Sequence, residues 1–120
     1  MGTLLEQLKE LCARKEEFIF DLRARCQVHE GVVSAYRATG QTSHANLAEA
    51  MAQALAQDGI LRVRRDALAR EMRYESCRLF TDLGNATRFA REQGQQTVLN
   101  LYRHQEIPVE QVQPPRNTAA

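Results

Sequence analysis

A stretch without proline, from His44 to about Gly94, constrains the fold of this chain more than any other feature. Large apolar residues recur through it at spacings that place them on one side of an α helix. Unbroken, about fifty residues at 1.5 Å each would form a rod of roughly 75 Å. Asp58-Gly59 is the one expected break, because glycine weakens a helix interior. The apolar positions are Leu47, Met51, Leu55, Leu61, Leu68, Met72, Leu79, Leu83 and Phe89.

A second apolar stripe predicts an earlier helix over residues 3–38. Thr3 and Glu6 fit a capping box, in which the hydroxyl and the carboxylate each accept an exposed backbone N–H. Gly31 weakens this helix, and a polar connection around Gly40 separates it from the second helix, predicted over residues 43–93. The stripe consists of Leu4, Leu8, Leu11, Phe18 and Leu22, with Cys26 one turn further.

The composition changes after Gly94, where all three prolines lie. Proline disfavours helix in itself and in the preceding residue, so residues 94–120 are predicted to be an extended tail. The tail keeps apolar residues such as Val98, Leu99 and Ile107, which indicates ordering against a partner surface. The fold class is therefore predicted as all-α: two long amphipathic helices, an extended tail and no compact globule.

The apolar inventory is thin for a self-contained core. Trp is absent and many apolar positions are Ala, which buries little area. The isolated chain is accordingly expected to be only partly folded, with a partner completing its core. The net charge of +1 creates no field that would demand nucleic acid or a membrane.

The basic residues are fourteen Arg and two Lys. Arginine suits fixed, bidentate contacts, although a GC-rich coding bias explains the excess equally well. Five arginines cluster and could follow a phosphate backbone, but acidic residues are interleaved with them, and Asp66 to Arg70 is a helical pair. A salt-bridged helix surface is therefore favoured over a nucleic-acid site. The cluster comprises Arg62, Arg64, Arg65, Arg70 and Arg73.

The residues that could catalyse a reaction or bind a metal are not grouped in this sequence. The three histidines fall in different segments, outside zinc-ligand spacing from any cysteine, and the glycines are scattered singly. No enzymatic activity, cofactor or metal is therefore predicted. Cys12, Cys26 and Cys77 are odd in number, and neither a signal peptide nor a membrane-spanning run is seen, so free thiols in a reducing compartment are expected.

The stretch from Arg64 reads R-x-x-x-L-x-x-x-M-x-x-E-x-x-x-L-x-x-[DE]-L, which as a helix would place its key residues on one face. It resembles a segment of small ciliary proteins, the helical microtubule inner proteins of the axonemal doublet. The resemblance covers Leu47 to Phe89. It implies a partner-binding face made of Arg64, Leu68, Met72, Glu75, Leu79 and Leu83.

This resemblance implies a structural role in the lumen of ciliary and flagellar doublet microtubules, with tubulin and other microtubule inner proteins as partners and the axoneme as location. Two alternatives stay open. One is a soluble coiled-coil adaptor or assembly chaperone, although Lys15, Asp58 and Arg65 interrupt its register. The other is a mitochondrial accessory subunit, suggested by the tripeptide Leu101-Tyr102-Arg103, which names a family of helical assembly factors but lies near the wrong end of this chain.

Overall fold

The computed structural model describes residues 2–37, 47–66, 68 and 71–112. The connection predicted around Gly40, Arg70 and two of the prolines lie outside them. The described residues form seven β strands, three α helices and one short 3-10 helix. The prediction of an all-α chain built from two long helices is therefore wrong.

Helices are interspersed among the strands along the chain, and the elements form two compact units. Unit 1 comprises residues 1–28 and 38–77, and unit 2 comprises residues 29–37 and 78–120. The elements are α1 (Leu4–Arg14), β1 (Glu17–Asp21), β2 (Cys26–Gln27), β3 (Val32–Ala35), α2 (Leu47–Leu55), β4 (Ile60–Arg65), β5 (Met72–Phe80), α3 (Leu83–Glu92), β6 (Thr97–Asn100), β7 (Gln105–Pro108) and the 3-10 helix Val109–Gln111.

Unit 1 contains antiparallel strands in the order β2-β1-β4-β5. The register places Phe18 opposite Val63 and Phe20 opposite Leu61. These four side chains share one face of the sheet, since successive strand residues alternate between faces. They pack into a core with buried residues of α1 and α2, which include Leu8, Leu11, Leu47, Ala50, Met51 and Ala54.

The capping box at the start of α1 is confirmed: Glu6 N–H donates to the Thr3 hydroxyl, and Thr3 N–H donates to the Glu6 carboxylate, each at 3.2 Å. The helix ends at Arg14, far short of the predicted residue 38. From Glu17 the chain is extended, and Phe18, Phe20 and Leu22 all enter the unit 1 core. A four-residue spacing fits one helical turn and also two strand repeats, so Phe18 and Leu22 alone could not distinguish the two.

Asp58-Gly59, the candidate break in the second predicted helix, lies between the end of α2 at Leu55 and the start of β4 at Ile60. Gly59 has φ of +80°, a conformation that glycine adopts without the steric cost of a Cβ atom. Beyond it, β4 and β5 pair over Ile60 to Cys77 and replace the middle of the predicted rod. Ile60 and Val63 supply branched side chains that favour a strand.

Unit 2 contains the last residues of β5, followed in the sheet by β3, β6 and β7. Helix α3 lies over this sheet and brings Ala86 and Ala90 against Val32 and Val98. Such small side chains allow a helix to lie close to a sheet. Both units thus have a buried apolar cluster of their own, contrary to the predicted lack of a compact core.

The β6–β7 hairpin occupies the first half of the region predicted to be an extended tail. The backbone is extended there, but it is paired within its own chain. Val109 N–H donates to Gln96 O at 2.8 Å, so the alternation of an antiparallel ladder turns the Pro108 backbone away from β6. Proline, which has no N–H to donate, fits this outward position and leaves the strand edge a poor template for further pairing.

No helix in the described residues is long and apolar enough to cross a membrane.

Candidate functional site

The six residues predicted as one helical binding face lie in four different elements. Arg64 is in β4, Leu68 is in the turn that follows, three residues are in β5, and Leu83 begins α3. Leu79 and Leu83 also belong to unit 2, whereas the others belong to unit 1. The single helix face is therefore wrong. The three residues in β5 are Met72, Glu75 and Leu79.

Four of the six residues lie on the β4–β5 hairpin, which here means residues 60–77. Met72 is partly buried against the unit 1 core. Arg64 and Glu75 point to the opposite face, where Arg64 Nη2 lies 3.3 Å from Glu75 Oε1. The Leu68 side chain is neither packed against the core nor placed on the opposite face of the sheet: it is 98% exposed. Of the predicted binding residues in this hairpin, Leu68 is the apolar one left accessible.

Asp66 fixes the backbone next to Leu68. Its Oδ1 atom accepts the Leu68 N–H at 2.9 Å, and its Oδ2 atom accepts Arg73 Nε–H at 2.6 Å. The Asp66 N–H donates to Glu71 O at 2.7 Å, which ties the two arms of the turn together. A short polar side chain that bonds to the backbone two residues later is typical of a tight turn. Asp66 therefore pairs with Arg73 across the hairpin, while the predicted partner Arg70 lies outside the described residues.

Ion pairs accompany every described arginine of the basic cluster. The shortest join Arg62 Nη2 to Glu17 Oε2 and Arg73 Nε to Asp66 Oδ2, each at 2.6 Å. Arg65 Nε lies 3.7 Å from Oε2 of Glu16, the residue just before β1. Arg64 Nη2 and Glu75 Oε1, 3.3 Å apart, form a fourth pair. The predicted salt-bridged surface is present, but strands form it.

Other arginines hold backbone carbonyl groups. The Arg23 guanidinium donates to the carbonyls of Leu55, Gln57 and Asp58 at 3.0–3.1 Å, at the end of α2 and just beyond it. Arg37 does the same at the end of α3, donating to Glu92 O at 2.9 Å and Gln93 O at 3.2 Å. The last carbonyls of a helix lack partners within it and carry partial negative charge, which a planar guanidinium can satisfy at several points. At these two positions, arginine makes the fixed contacts for which its guanidinium is suited.

The three cysteines are free thiols in three environments. Complete burial raises the pKa of Cys77 far above its usual range, and the nearby Glu75 carboxylate adds to the effect. Partial burial also raises the pKa of Cys12, although the Arg65 guanidinium opposes the change. Cys26 is exposed on β2. Since the thiolate is the reactive form, burial disfavours nucleophilic chemistry at the first two.

Unit 2 contains an aromatic cluster that the sequence did not predict. The rings of Tyr36 and Phe89 meet edge to face, with centroids 5.0 Å apart. The Arg78 guanidinium lies 5.5 Å from the Tyr36 centroid and 4.8 Å from the Phe89 centroid, and it donates to the Tyr36 hydroxyl at 2.8 Å. Arg78 is in β5, Phe89 is in α3 and Tyr36 directly follows β3, so no local sequence signal could have grouped them.

Two further features bear on the predicted chemistry. Across residues 2–37, 47–66, 68 and 71–112, no three His, Cys, Asp or Glu side chains come together as a metal site would require. The tripeptide Leu101-Tyr102-Arg103 forms the turn between β6 and β7, with Leu101 buried and Tyr102 57% exposed. It therefore does not begin a helix.

Comparison with known proteins identifies no relative: no protein-family model, curated protein or solved structure matches this chain.

Proposed function

We propose that this chain is a non-catalytic protein-binding domain whose contact point is Leu68, at the tip of the β4–β5 hairpin. The observation that carries the proposal is the 98% exposure of Leu68, whose backbone N–H donates a hydrogen bond to Asp66. Burying a leucine side chain contributes about 1.5–3 kcal/mol. Leu68 contributes almost none of this to folding, so the gain is available to a complex.

The geometry of the turn supports this role. Asp66 accepts hydrogen bonds from both the Leu68 N–H and the Arg73 guanidinium, so the Leu68 backbone is tied to β5 through this carboxylate before any partner arrives. A contact residue whose backbone is already fixed loses less conformational entropy on binding. A hairpin tip also projects from its sheet and can enter a depression on another protein.

The charges beside Leu68 favour a protein partner over a nucleic acid. Arg65 and Arg73 have carboxylate neighbours at 3.7 and 2.6 Å, so a phosphate would compete with groups already in place. Affinity for nucleic acids depends on cations that neutralise phosphates. Paired charges near an exposed apolar side chain instead suit the polar rim that surrounds the apolar centre of a protein interface.

The proposal keeps the broad part of the sequence prediction, a non-catalytic role in which Leu68 contacts a partner. The ciliary assignment stays a prediction and forms no part of the proposal. Its motif was interpreted as a helix face, and those residues lie on β4, a turn, β5 and α3.

Site-specific photo-crosslinking of the full-length chain in cells that express it would test the proposal. Leu68 is replaced by photoreactive p-benzoylphenylalanine, and the same group is placed at Tyr102 as an exposed control in unit 2. We expect a discrete protein adduct from position 68 alone. An excess of untagged wild-type chain should suppress it, whereas an excess of the Leu68→Asp chain should not.

Two results would contradict this function. Equal suppression by both competitors would show that Leu68 does not contribute to the contact. An adduct that nuclease treatment removes would assign the hairpin to a nucleic acid instead.

A further inference from the structure

No further inference is drawn: the strongest candidate, the aromatic corner between Tyr36 and Phe89 on the α3 side of unit 2, is already filled by the guanidinium group of Arg78, and nothing in the described residues shows what would displace it.

Discussion

Arg62 and Glu17 form a forked ion pair between β4 and β1, with the guanidinium Nη2 and Nε atoms 2.6 and 2.7 Å from the same carboxylate oxygen. The pair is diagonal, because Ile19 lies directly opposite Arg62 in the register. The side chain of Arg62 is only 9% exposed, whereas that of Glu17 is 41% exposed. A guanidinium does not lose its proton in proteins, so its burial has to be offset by neighbouring carboxylates, of which Glu17 is one.

Replacing Glu17→Gln should therefore lower the free energy of unfolding by about 1–3 kcal/mol, less than for a fully buried pair because Glu17 is partly solvated. Urea denaturation followed by circular dichroism measures the change. Glu16→Gln is the matched control: its carboxylate is 86% exposed and 3.7 Å from Arg65, so the cost should stay below about 0.5 kcal/mol. Similar losses from both variants would contradict the special role of the buried guanidinium.

Arg23 is expected to stabilise the end of α2 through its three carbonyl contacts. Arg23→Ala leaves those carbonyls without the guanidinium and should cost about 1–2 kcal/mol. Arg25→Gly serves as a nearby control, since Arg25 has φ of +59°, where glycine is less strained. Thermal unfolding should show a lower midpoint for the first variant and an unchanged or higher midpoint for the second. The reverse order would exclude a capping role for Arg23.

Gly31 and Gly84 should respond oppositely to substitution by alanine. Gly31 has φ of +111°, and a Cβ atom there would lie 2.7 Å from Leu79 Cδ1 and 2.9 Å from Phe80 O. Gly31→Ala should cost about 1–3 kcal/mol, since the backbone carbonyl cannot move aside as a side chain can. Gly84 is within α3 and its nearest neighbour would be 3.4 Å away. Gly84→Ala should therefore stabilise the protein by up to about 1 kcal/mol, as chemical denaturation would measure.

Parts of this fold follow from local signals in the sequence. The capping box at Thr3 and Glu6 depends on two side chains three residues apart, and Gly59 marks a break that its positive φ explains. Gly94, placed at the end of the second predicted helix, also has a positive φ, of +71°, and follows α3 closely. Such stops depend on one residue and its immediate neighbours, so they can be predicted without tertiary contacts.

The strands could not be predicted from spacing alone. The helical interpretation counted leucine, methionine and phenylalanine at steps of four, six and seven. In β5 the core-facing positions are Met72, Tyr74 and Ser76, of which only the first was counted. Arg62 and Arg64 lie on the opposite face of β4, which carries charge. Arg62 is nevertheless buried there, because ion pairs compensate for the water that its guanidinium loses. A strand with such pairs shows no clean alternation of apolar and polar residues.

The free energy of unfolding should fall as pH rises above about 9, in part through Cys77. Its thiol is fully buried and has a raised pKa in the native state, whereas in the unfolded chain it titrates near 9.0. Above that pH the unfolded state has lost a proton that the native state retains, so unfolding becomes more favourable, by up to about 1.4 kcal/mol per pH unit for one group. Below about pH 9, the contribution of the buried Cys77 thiol to the free energy of unfolding is fully present.

Denaturation at several pH values between 7 and about 10.5 would measure this dependence. Cys77→Ala removes the titrating group, so its stability should approach that of the wild type as the pH rises. Cys26→Ala is the control for the loss of a thiol in itself, because Cys26 is exposed. If the stability of Cys77→Ala depends on pH in the same way as that of the wild type, this thiol is accessible in the native state.

Substitution of Leu68 should leave the stability of the fold nearly unchanged. Because it is 98% exposed and its backbone N–H, not its side chain, bonds to Asp66, Leu68→Asp should change the free energy of unfolding by less than about 0.5 kcal/mol. Leu61→Ala, in the unit 1 core and fully buried, should cost about 2–5 kcal/mol. Denaturation of both variants measures this contrast. A large loss from Leu68→Asp would mean that the leucine packs within its own chain, and its effect on crosslinking could then no longer be assigned to a partner.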